Sequence, residues 1–202
     1  MRRPAVFLDL NGTLALPIQV SRPSALAAIP GAAKAVGRLS ASGYVCPVVT
    51  IQSRIGKKIF SAAAFQMWFR GFQLQFAREG AILAGPYVCP HPFSIDCPCK
   101  KPKPLLYRQA AEDHHLDLAA SYVIGDTAGD VAAAAQFGGK GILVRTGYGE
   151  NETAAAAAAR QAAFVGNNLG ECIEWILQRQ TAFPRRPLHD HHPLPDHPPW
   201  RN

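Results

Sequence analysis

The sequence lacks any apolar run long enough to cross a lipid bilayer, because Gly, Pro, Asp or Arg interrupts every such run early. We therefore predict no transmembrane span and no membrane partner. The basic start of the chain is compatible with a signal peptide, but Asp9 falls inside the short apolar run that follows, and no small-residue cleavage site comes after it. We expect a cytoplasmic protein.

Acidic residues are scarce: 14 Asp and Glu stand against 21 Lys and Arg, which gives a formal net charge of +7. Such a balance suits nucleic acids, membrane surfaces or phosphorylated molecules as partners. The basic residues are scattered in small groups, without a long basic helix and without interleaved aromatic residues, so nucleic acid is not favoured. We expect a small phosphorylated substrate and a monomeric chain.

The chain has five cysteines, and an odd number excludes a disulfide framework that pairs all of them. Cys46 and Cys172 lie within apolar stretches and are predicted to be buried as small hydrophobic residues. The other three lie close together in the sequence, which indicates a separate role for them.

Apolar segments with strand character alternate along the chain with segments of helical spacing. The predicted strands span residues 5–10, 44–50, 81–88, 122–126, 141–145 and 164–165. The predicted helices span residues 31–42, 57–78, 103–115, 128–137, 153–163 and 169–179. Because the strands are wholly apolar, we expect a parallel sheet covered by helices on both faces, which is the doubly wound α/β class.

The composition changes after Thr181 to Pro, Arg, His and Asp. Residues 181–202 cannot bury enough apolar surface to order themselves and are predicted to be a disordered tail. Its four histidines offer a weak metal site, but we favour a tail without a specific ligand. Residues 1–180 then form one domain.

Three of the predicted strands carry an acid or a hydroxyl at or near their ends: Asp9, Thr50 and Asp126. Such strand ends meet at one edge of a parallel sheet, and Lys101 lies in the loop segment between the last two. This set suits phosphoryl transfer: the carboxylate attacks phosphorus to form an aspartyl phosphate, while the lysine and hydroxyl hold the phosphoryl oxygens. The carboxylates would hold Mg²⁺. Taken singly, Asp126 could be a helix N-cap and Thr50 a turn residue.

The segment from residue 87 to 104 carries a C-x-H pattern, a short loop and a C-x-C pattern. The potential ligands are Cys89, His91, Cys97 and Cys99. Three thiolates and one imidazole fill a tetrahedral Zn²⁺ shell with no open position, which is typical of a structural site. The alternative is a set of free thiols beside a surface histidine. In a reducing compartment we favour a zinc loop over residues 89–99.

The ordered set DLNGT, Thr50, Lys101 and GDTAGD resembles the four motifs of the haloacid dehalogenase (HAD) superfamily, over roughly residues 5–178. The cysteine segment is similar to that of the zinc-containing HAD phosphatases, which include D-glycero-D-manno-heptose 1,7-bisphosphate phosphatases and histidinol-phosphate phosphatases. The stretch LVRTGYG at residues 143–149 also looks like this group. The resemblance implies a HAD-like sheet without a separate cap domain and a zinc loop that shapes the substrate entrance.

The resemblance also implies roles for individual residues. Asp9 would be the nucleophile, and position 11 would supply a catalytic side chain together with a backbone carbonyl ligand for Mg²⁺. The implied phosphate-binding residues are Thr50, Gln52, Ser53, Lys100 and Lys101. The implied Mg²⁺ ligands are Asp9, Asn11 and Asp126. Zinc on Cys99 would fix the backbone two residues before Lys101 and so hold that lysine against the phosphate.

Asp130 lies one helical turn beyond Asp126. We expect it to orient Lys101 or a metal-bound water. The alternative is an exposed acid at the start of a helix.

The sequence departs from the family pattern at the position that matters most for proton transfer. Asn11 stands where the family has a second Asp that protonates the leaving oxygen and then activates water. An amide cannot exchange a proton at neutral pH. Loss of general acid–base help costs roughly 10²- to 10⁴-fold in rate.

Further departures affect substrate recognition rather than the phosphoryl site. The family's T-N-Q-S-G reads T-I-Q-S-R at residues 50–54, and Thr127 stands where heptose enzymes tend to have Lys. Lys100 replaces the usual Arg and lacks its two-pronged grip on phosphate. Two functions are therefore kept open: a Mg²⁺-dependent phosphatase of a small sugar phosphate, slowed by Asn11, and a non-hydrolytic HAD-like domain that binds a phosphorylated ligand or a protein partner.

Overall fold

The computed structural model describes residues 2–151 and 160–179. Most of the helix predicted over residues 153–163 and the tail predicted over residues 181–202 lie outside the described residues. Among the residues described, none of the helices combines the length and the apolarity that a bilayer crossing needs.

Eight strands, six α-helices and two short 3-10 helices, Pro23–Ala25 and Gly147–Glu150, make up the regular structure of the described residues. The strands are β1 Arg3–Leu8, β2 Ala15–Leu16, β3 Ala27–Ala28, β4 Cys46–Ile51, β5 Leu83–Cys89, β6 Leu116–Gly125, β7 Lys140–Val144 and β8 Phe164–Gly166. The helices are α1 Ala32–Ala41, α2 Ser53–Gly56, α3 Ala62–Ala77, α4 Leu105–His114, α5 Ala128–Ala135 and α6 Leu169–Leu177.

Six of the strands form one parallel sheet in the order β5-β4-β1-β6-β7-β8. Helices α1, α3 and α6 pack on one face of this sheet, and α4 and α5 pack on the other. The predicted doubly wound α/β fold is confirmed. Between β1 and α1 the chain adds the short antiparallel pair β2–β3, with a 3-10 turn at Pro23–Ala25 between its two strands.

The centre of the sheet shows why the strands read as continuous apolar runs. Residues 5–8 of β1 have no solvent exposure. Because successive side chains of a strand point to opposite faces, Val6 and Leu8 join the core beneath α1, α3 and α6, whereas Ala5 and Phe7 join the core beneath α4 and α5. A strand that is covered on both faces has no alternation of polar and apolar residues.

The structure differs from the sequence prediction in several places. Residues 160–163, predicted as the end of a helix, form no helix and lead directly into β8. The helical region predicted over residues 57–78 divides into α2 and α3, and α3 begins where Ser61 accepts a hydrogen bond from the backbone nitrogen of Ala64. Strand β6 begins at Leu116 rather than at residue 122. Its pairing with β1 shifts register between Pro4 and Val6, and the apolar pattern therefore predicted only the second half of the strand. The pair β2–β3 was not predicted, since two-residue strands carry no periodicity. Cys46 and Cys172 are buried, as predicted.

Candidate active site

The carboxyl ends of the central strands carry the residues that the sequence singled out. Asp9 follows β1 directly, Thr50 lies near the end of β4, and Asp126 follows β6. All three are buried, with exposures of 7%, 1% and 3%. Because β4, β1 and β6 are adjacent and parallel, their polar ends converge at one edge of the sheet.

Lys101 reaches this edge from the loop after β5 and joins two carboxylates. Its Nζ lies 2.5 Å from Oδ1 of Asp9 and 2.6 Å from Oδ1 of Asp130. The side chains of the lysine and of the two acids are 5%, 9% and 2% exposed. The ammonium group therefore forms a buried double ion pair, which fixes its position next to Asp9.

Asp130 occupies the first turn of α5 and forms a capping box with Thr127. Its Oδ2 accepts hydrogen bonds from the backbone nitrogen of Thr127 at 3.3 Å and from Oγ1 of the same residue at 2.5 Å. With 1% exposure and a contact to Lys101, it is not the exposed acid of the alternative interpretation. The N-cap of α5 is Thr127, so the interpretation of Asp126 as a helix cap is also wrong.

The carboxylate of Asp126 is enclosed by two glycines that belong to different loops. A Cβ at Gly12 would lie 2.0 Å from Oδ2 of Asp126, and one at Gly147 would lie 2.4 Å from the same atom. Both glycines have positive φ, +96° and +58°. Oδ2 also accepts a hydrogen bond from the backbone nitrogen of Tyr148 at 2.8 Å. These contacts fix the position of Oδ2 at the end of β6.

The carboxylates and the single ammonium give the edge an excess of negative charge. Burial raises the pKa of Asp126 to about 8, and the charges of Asp9 and Asp130 add to this effect. Burial also raises the pKa of Asp9 to about 6, although Lys101 opposes the change. For Lys101, burial favours the neutral form, but the two carboxylates outweigh it and hold the pKa well above the ordinary value.

This charge balance fits a divalent cation. Carboxylate oxygens of Asp9, Asp126 and Asp130 lie within 4.8 Å of one another. Both oxygens of Asp130 are already bonded to Lys101 and Thr127. The two carboxylates with capacity to spare are therefore Asp9 and Asp126, and hard oxygen donors of this kind suit Mg²⁺.

A second hydrogen-bond network joins the loops after β1 and β4. Nε2 of Gln52 donates to Oδ1 of Asn11 at 2.7 Å and to Oγ1 of Thr50 at 3.0 Å. Nδ2 of Asn11 donates to the carbonyl oxygen of Ile18 at 3.1 Å. Both N–H groups of Gln52 are thus in use, and Thr50, as the acceptor, keeps its own hydroxyl proton for another partner.

The remaining two phosphate-binding predictions lie nearby but differ in their contacts. Ser53 begins α2 directly after Gln52 and is partly buried. Lys100 turns toward the loop that precedes it: its Nζ donates to the carbonyl oxygens of Phe93, at 2.9 Å, and of Ile95. The structure therefore brings Lys101, and not Lys100, to the carboxylates.

The four residues predicted to bind zinc form a compact group. The Sγ atom of Cys97 lies 3.6 Å from those of Cys89 and Cys99, and Nδ1 of His91 lies 3.2 Å from Sγ of Cys99 and 3.9 Å from Sγ of Cys89. All four ligand atoms lie within 4.8 Å of one another. Two sulfurs on a tetrahedral Zn²⁺, each about 2.3 Å from the metal, are about 3.8 Å apart. The donor set and its spacing fit zinc.

A shallow, open groove of about 460 Å³ lies beside the carboxylate edge. It is lined by Leu16, Pro17, Ile18, Gly147 and Glu150. Gly147 borders both this groove and Asp126, so the groove lies next to the carboxylates.

Sequence reasoning missed several contributions from the loop after β7. Tyr148 holds Asp126 through its backbone nitrogen, and Oγ1 of Thr146 donates to the carbonyl oxygen of Gly12 at 2.5 Å. These residues follow a strand that is parallel to β1 and β6. The strand-end rule, applied to β7 as well, would have pointed to them.

Comparison with known proteins places this site in a family. A family model described as HAD-hydrolase-like matches residues 98–172. The D-glycero-β-D-manno-heptose-1,7-bisphosphate 7-phosphatase of Haemophilus ducreyi is 34% identical over 185 residues, which cover 87% of this chain and 100% of that protein. The enzyme of the same name from Salmonella typhi is 35% identical, with 88% of this chain and 97% of that protein covered.

Solved structures agree with this placement. The D,D-heptose 1,7-bisphosphate phosphatase of Bordetella bronchiseptica, complexed with magnesium and phosphate, superimposes with a TM-score of 0.79 at 28% identity and covers 88% of this chain and 99% of that one. The corresponding enzyme of Burkholderia thailandensis gives a TM-score of 0.66 at 26% identity, with coverage of 88% and 100%. The chain belongs to the HAD-type phosphatase family of D-glycero-D-manno-heptose-1,7-bisphosphate 7-phosphatases.

Proposed function

We propose that the protein hydrolyses a phosphomonoester of a small sugar, with D-glycero-D-manno-heptose 1,7-bisphosphate as the substrate that its relatives indicate. The observation that carries the proposal is the buried contact of 2.5 Å between Lys101 and Asp9, made beside Asp126 and Thr50. A carboxylate held by a cation at the edge of a sheet is positioned to attack phosphorus.

The phosphoryl group would be held by donors that the fold leaves unused. Lys101 has three N–H groups, of which two bond Asp9 and Asp130. The third N–H and the hydroxyl of Thr50 are available to phosphoryl oxygens. We assign the attack to Oδ2 of Asp9, because Oδ1 is held by the lysine.

Two metals would support this site. Asp9, Asp126 and the backbone carbonyl of Asn11 would hold Mg²⁺, which neutralises the repulsion between the attacking carboxylate and the phosphate. The group of Cys89, His91, Cys97 and Cys99 would hold Zn²⁺ and fix the backbone that carries Lys101.

The reaction would proceed in two displacements. In the first, Oδ2 of Asp9 bonds to phosphorus and the bond from phosphorus to the sugar oxygen breaks, so that oxygen must gain a proton. In the second, water attacks phosphorus, loses a proton, and releases phosphate and the free carboxylate. Asn11 can hydrogen-bond but cannot supply or remove either proton, so both protons must be exchanged with solvent and the turnover is slow.

One observation favours a second candidate, a domain that binds a phosphorylated ligand or a protein partner without turnover. The side chain of Asn11 bonds Gln52 through its oxygen and the carbonyl of Ile18 through its nitrogen. It thereby ties two loops together, which is a structural role that needs no proton transfer.

A phosphate-release assay separates the two candidates. The purified protein is incubated with D-glycero-D-manno-heptose 1,7-bisphosphate and with a panel of other sugar phosphates, each with and without Mg²⁺. The proposal expects Mg²⁺-dependent release that the Asp9→Asn variant lacks. Binding of the same compounds without release in any of them would favour the non-hydrolytic domain.

A further inference from the structure

The hydroxyl of Tyr107 is buried and has no hydrogen-bond partner in the part of the chain that the structure describes. The residue is 1% exposed and lies in the first turn of α4, six residues after Lys101. Burial of an unbonded hydroxyl costs free energy, and phenylalanine would fill the same space without this cost. The hydroxyl therefore has the capacity to bind a partner that becomes free only during the reaction.

The ring of Tyr107 lies on the face of the sheet that carries Asp130. It packs against Phe7 of β1, with ring centroids 5.1 Å apart, and against Phe137 after α5, at 5.3 Å. Phe7 precedes Asp9 by two residues, and alternate residues of a strand share a face. Tyr107 is thus packed beneath the end of β1 where Asp9 lies, on the same side as α5.

The charges of the site act on this hydroxyl. Burial raises the pKa of the Tyr107 phenol, the charge of Lys101 lowers it, and the charges of Asp130 and Asp9 raise it again. The balance keeps the phenol protonated at neutral pH, so it can donate a hydrogen bond to an anion. Of the two acids, Asp130 has the larger effect on the phenol, which makes Asp130 the favoured acceptor.

Asp130 needs such a donor once a phosphoryl group is bound. In the structure its Oδ2 is bonded to Thr127, and its Oδ1 is bonded to Lys101, which it shares with Asp9. When a phosphoryl group adds its charge beside Asp9, the ammonium of Lys101 is drawn toward the phosphoryl oxygens. Its bond to Oδ1 of Asp130 then weakens, and a buried carboxylate oxygen without a donor is costly.

We propose that Tyr107 is a positioning residue, whose hydroxyl donates to Oδ1 of Asp130 when Lys101 moves toward the phosphoryl group. This hydrogen bond compensates Asp130 for the contact that it loses, and so lowers the cost of presenting Lys101 to the transition state. The inference rests on the proposed function, because it needs a phosphoryl group at Asp9. The structural alternative is that Tyr107 only fills space in the core beneath α4 and α5.

Tyr107→Phe removes the hydroxyl and keeps the ring, and Tyr87→Phe is the matched control. Tyr87 is 3% exposed, and its hydroxyl donates to Oδ2 of Asp113 at 2.8 Å, away from the carboxylate cluster. Both variants and the parent are assayed for kcat and KM on D-glycero-D-manno-heptose 1,7-bisphosphate with Mg²⁺, and their melting temperatures are measured.

The two substitutions should have opposite effects. We expect Tyr107→Phe to lower kcat roughly tenfold, to change KM by less than about twofold, and to leave the melting temperature unchanged or higher. Tyr87→Phe should lower the melting temperature by about 3 °C and leave kcat unchanged, because its hydroxyl has a partner in the resting protein. A Tyr107→Phe variant with the kcat of the parent would overturn the inference in favour of the structural alternative.

A double variant tests the route through Asp130. In the Asp130→Asn background, the loss of kcat caused by Tyr107→Phe should shrink to less than about twofold, because two residues that act through one contact are not additive. An undiminished loss in that background would contradict the assigned acceptor.

Failure of the proposed function can be told apart from failure of this inference. If the parent releases no phosphate, the binding of inorganic phosphate with Mg²⁺ is measured by calorimetry for the parent and for Tyr107→Phe. Weaker binding by the variant would support the role of Tyr107 in a non-hydrolytic domain. Equal binding by the two proteins, or binding by neither, would contradict it. An active parent and an equally active Tyr107→Phe would contradict the inference alone and leave the proposed function intact.

Discussion

Oδ1 of Asn11 accepts a hydrogen bond of 2.7 Å from Nε2 of Gln52, and the opposite end of the same amide donates to the carbonyl oxygen of Ile18 at 3.1 Å. The residue that departs most from the family pattern is therefore an integrated part of the entrance to the site. Its amide makes hydrogen bonds at both ends but cannot exchange a proton at neutral pH.

Replacing Asn11 by Asp should raise the rate of phosphate release, because a carboxyl group can deliver and then remove a proton. The expected gain in kcat is about 10²-fold, at the lower end of general acid–base effects. One carboxyl oxygen would face the carbonyl of Ile18, which favours the protonated acid, so the gain should decline as pH rises. Measurement of kcat from pH 5 to 9 checks this. Asn11→Ala, which has neither function, is the control, and an equal gain in that variant would refute the missing-acid explanation.

Metal analysis of the purified protein should find about one zinc per chain, because the four ligands complete a tetrahedral coordination shell. Cys97→Ser should lose the metal and lower the melting temperature, because the loop that carries Lys101 loses its anchor. Cys46→Ala is the matched control, since it removes a buried thiol that lies outside the cluster. Absence of zinc from the parent protein, or its retention in Cys97→Ser, would remove the assignment.

Replacing Lys101 by Met should abolish phosphate release and lower the free energy of unfolding by roughly 3 kcal/mol, the cost of leaving buried charges unpaired. Lys103→Met is the control, because the pair that Lys103 forms with Asp96 is exposed to solvent and contributes little to stability. Urea denaturation at pH 8 measures the free energy of unfolding of both variants. Equal destabilisation by the two substitutions would show that the ion pair with Asp9 and Asp130 has no special weight.

The stability of the protein without Mg²⁺ should fall as pH rises from about 4 toward 8. The pKa of Asp126 is about 8 in the folded chain against an ordinary value of 3.8, so the folded state binds more protons than the unfolded state within this window. Added Mg²⁺ competes with the proton and should raise the melting temperature more at pH 8 than at pH 6. Thermal scans after dialysis test this, with Asp126→Asn as control. A Mg²⁺ effect that is the same at both pH values in the parent would contradict the assignment of the metal to Asp126.

The residues at the carboxyl edge of the sheet can be predicted from the sequence because simple rules govern their position. Continuous apolar runs identify strands buried on both faces, and the polar residues that end β1, β4 and β6 must then meet. Asp9, Thr50 and Asp126 were found in this way. The group of Cys89, His91, Cys97 and Cys99 can be predicted because its members are close in sequence, so their spacing alone limits the geometry.

The side-chain contacts at the entrance to the site could not be predicted by the same rules. The hydrogen bond from Gln19 to Tyr148 joins residues that are 129 positions apart, and each lies in a loop or short turn without periodicity. The carbonyl contacts of Lys100 depend likewise on the path of the loop before it. Such contacts follow from the packing of loops on a finished fold, so they appear only in the structure.

Asp9 should carry the phosphoryl group during turnover, and slow attack of water without a base should let this intermediate accumulate. The protein is incubated with D-glycero-D-manno-heptose 1,7-bisphosphate and Mg²⁺, and the reaction is quenched in acid. The masses of its peptides are then measured by mass spectrometry. We predict a phosphoryl group on the peptide that contains Asp9, less of it in Asn11→Asp, and none in Asp9→Asn. A phosphoryl group on another residue, or phosphate release by Asp9→Asn at the rate of the parent, would contradict the account.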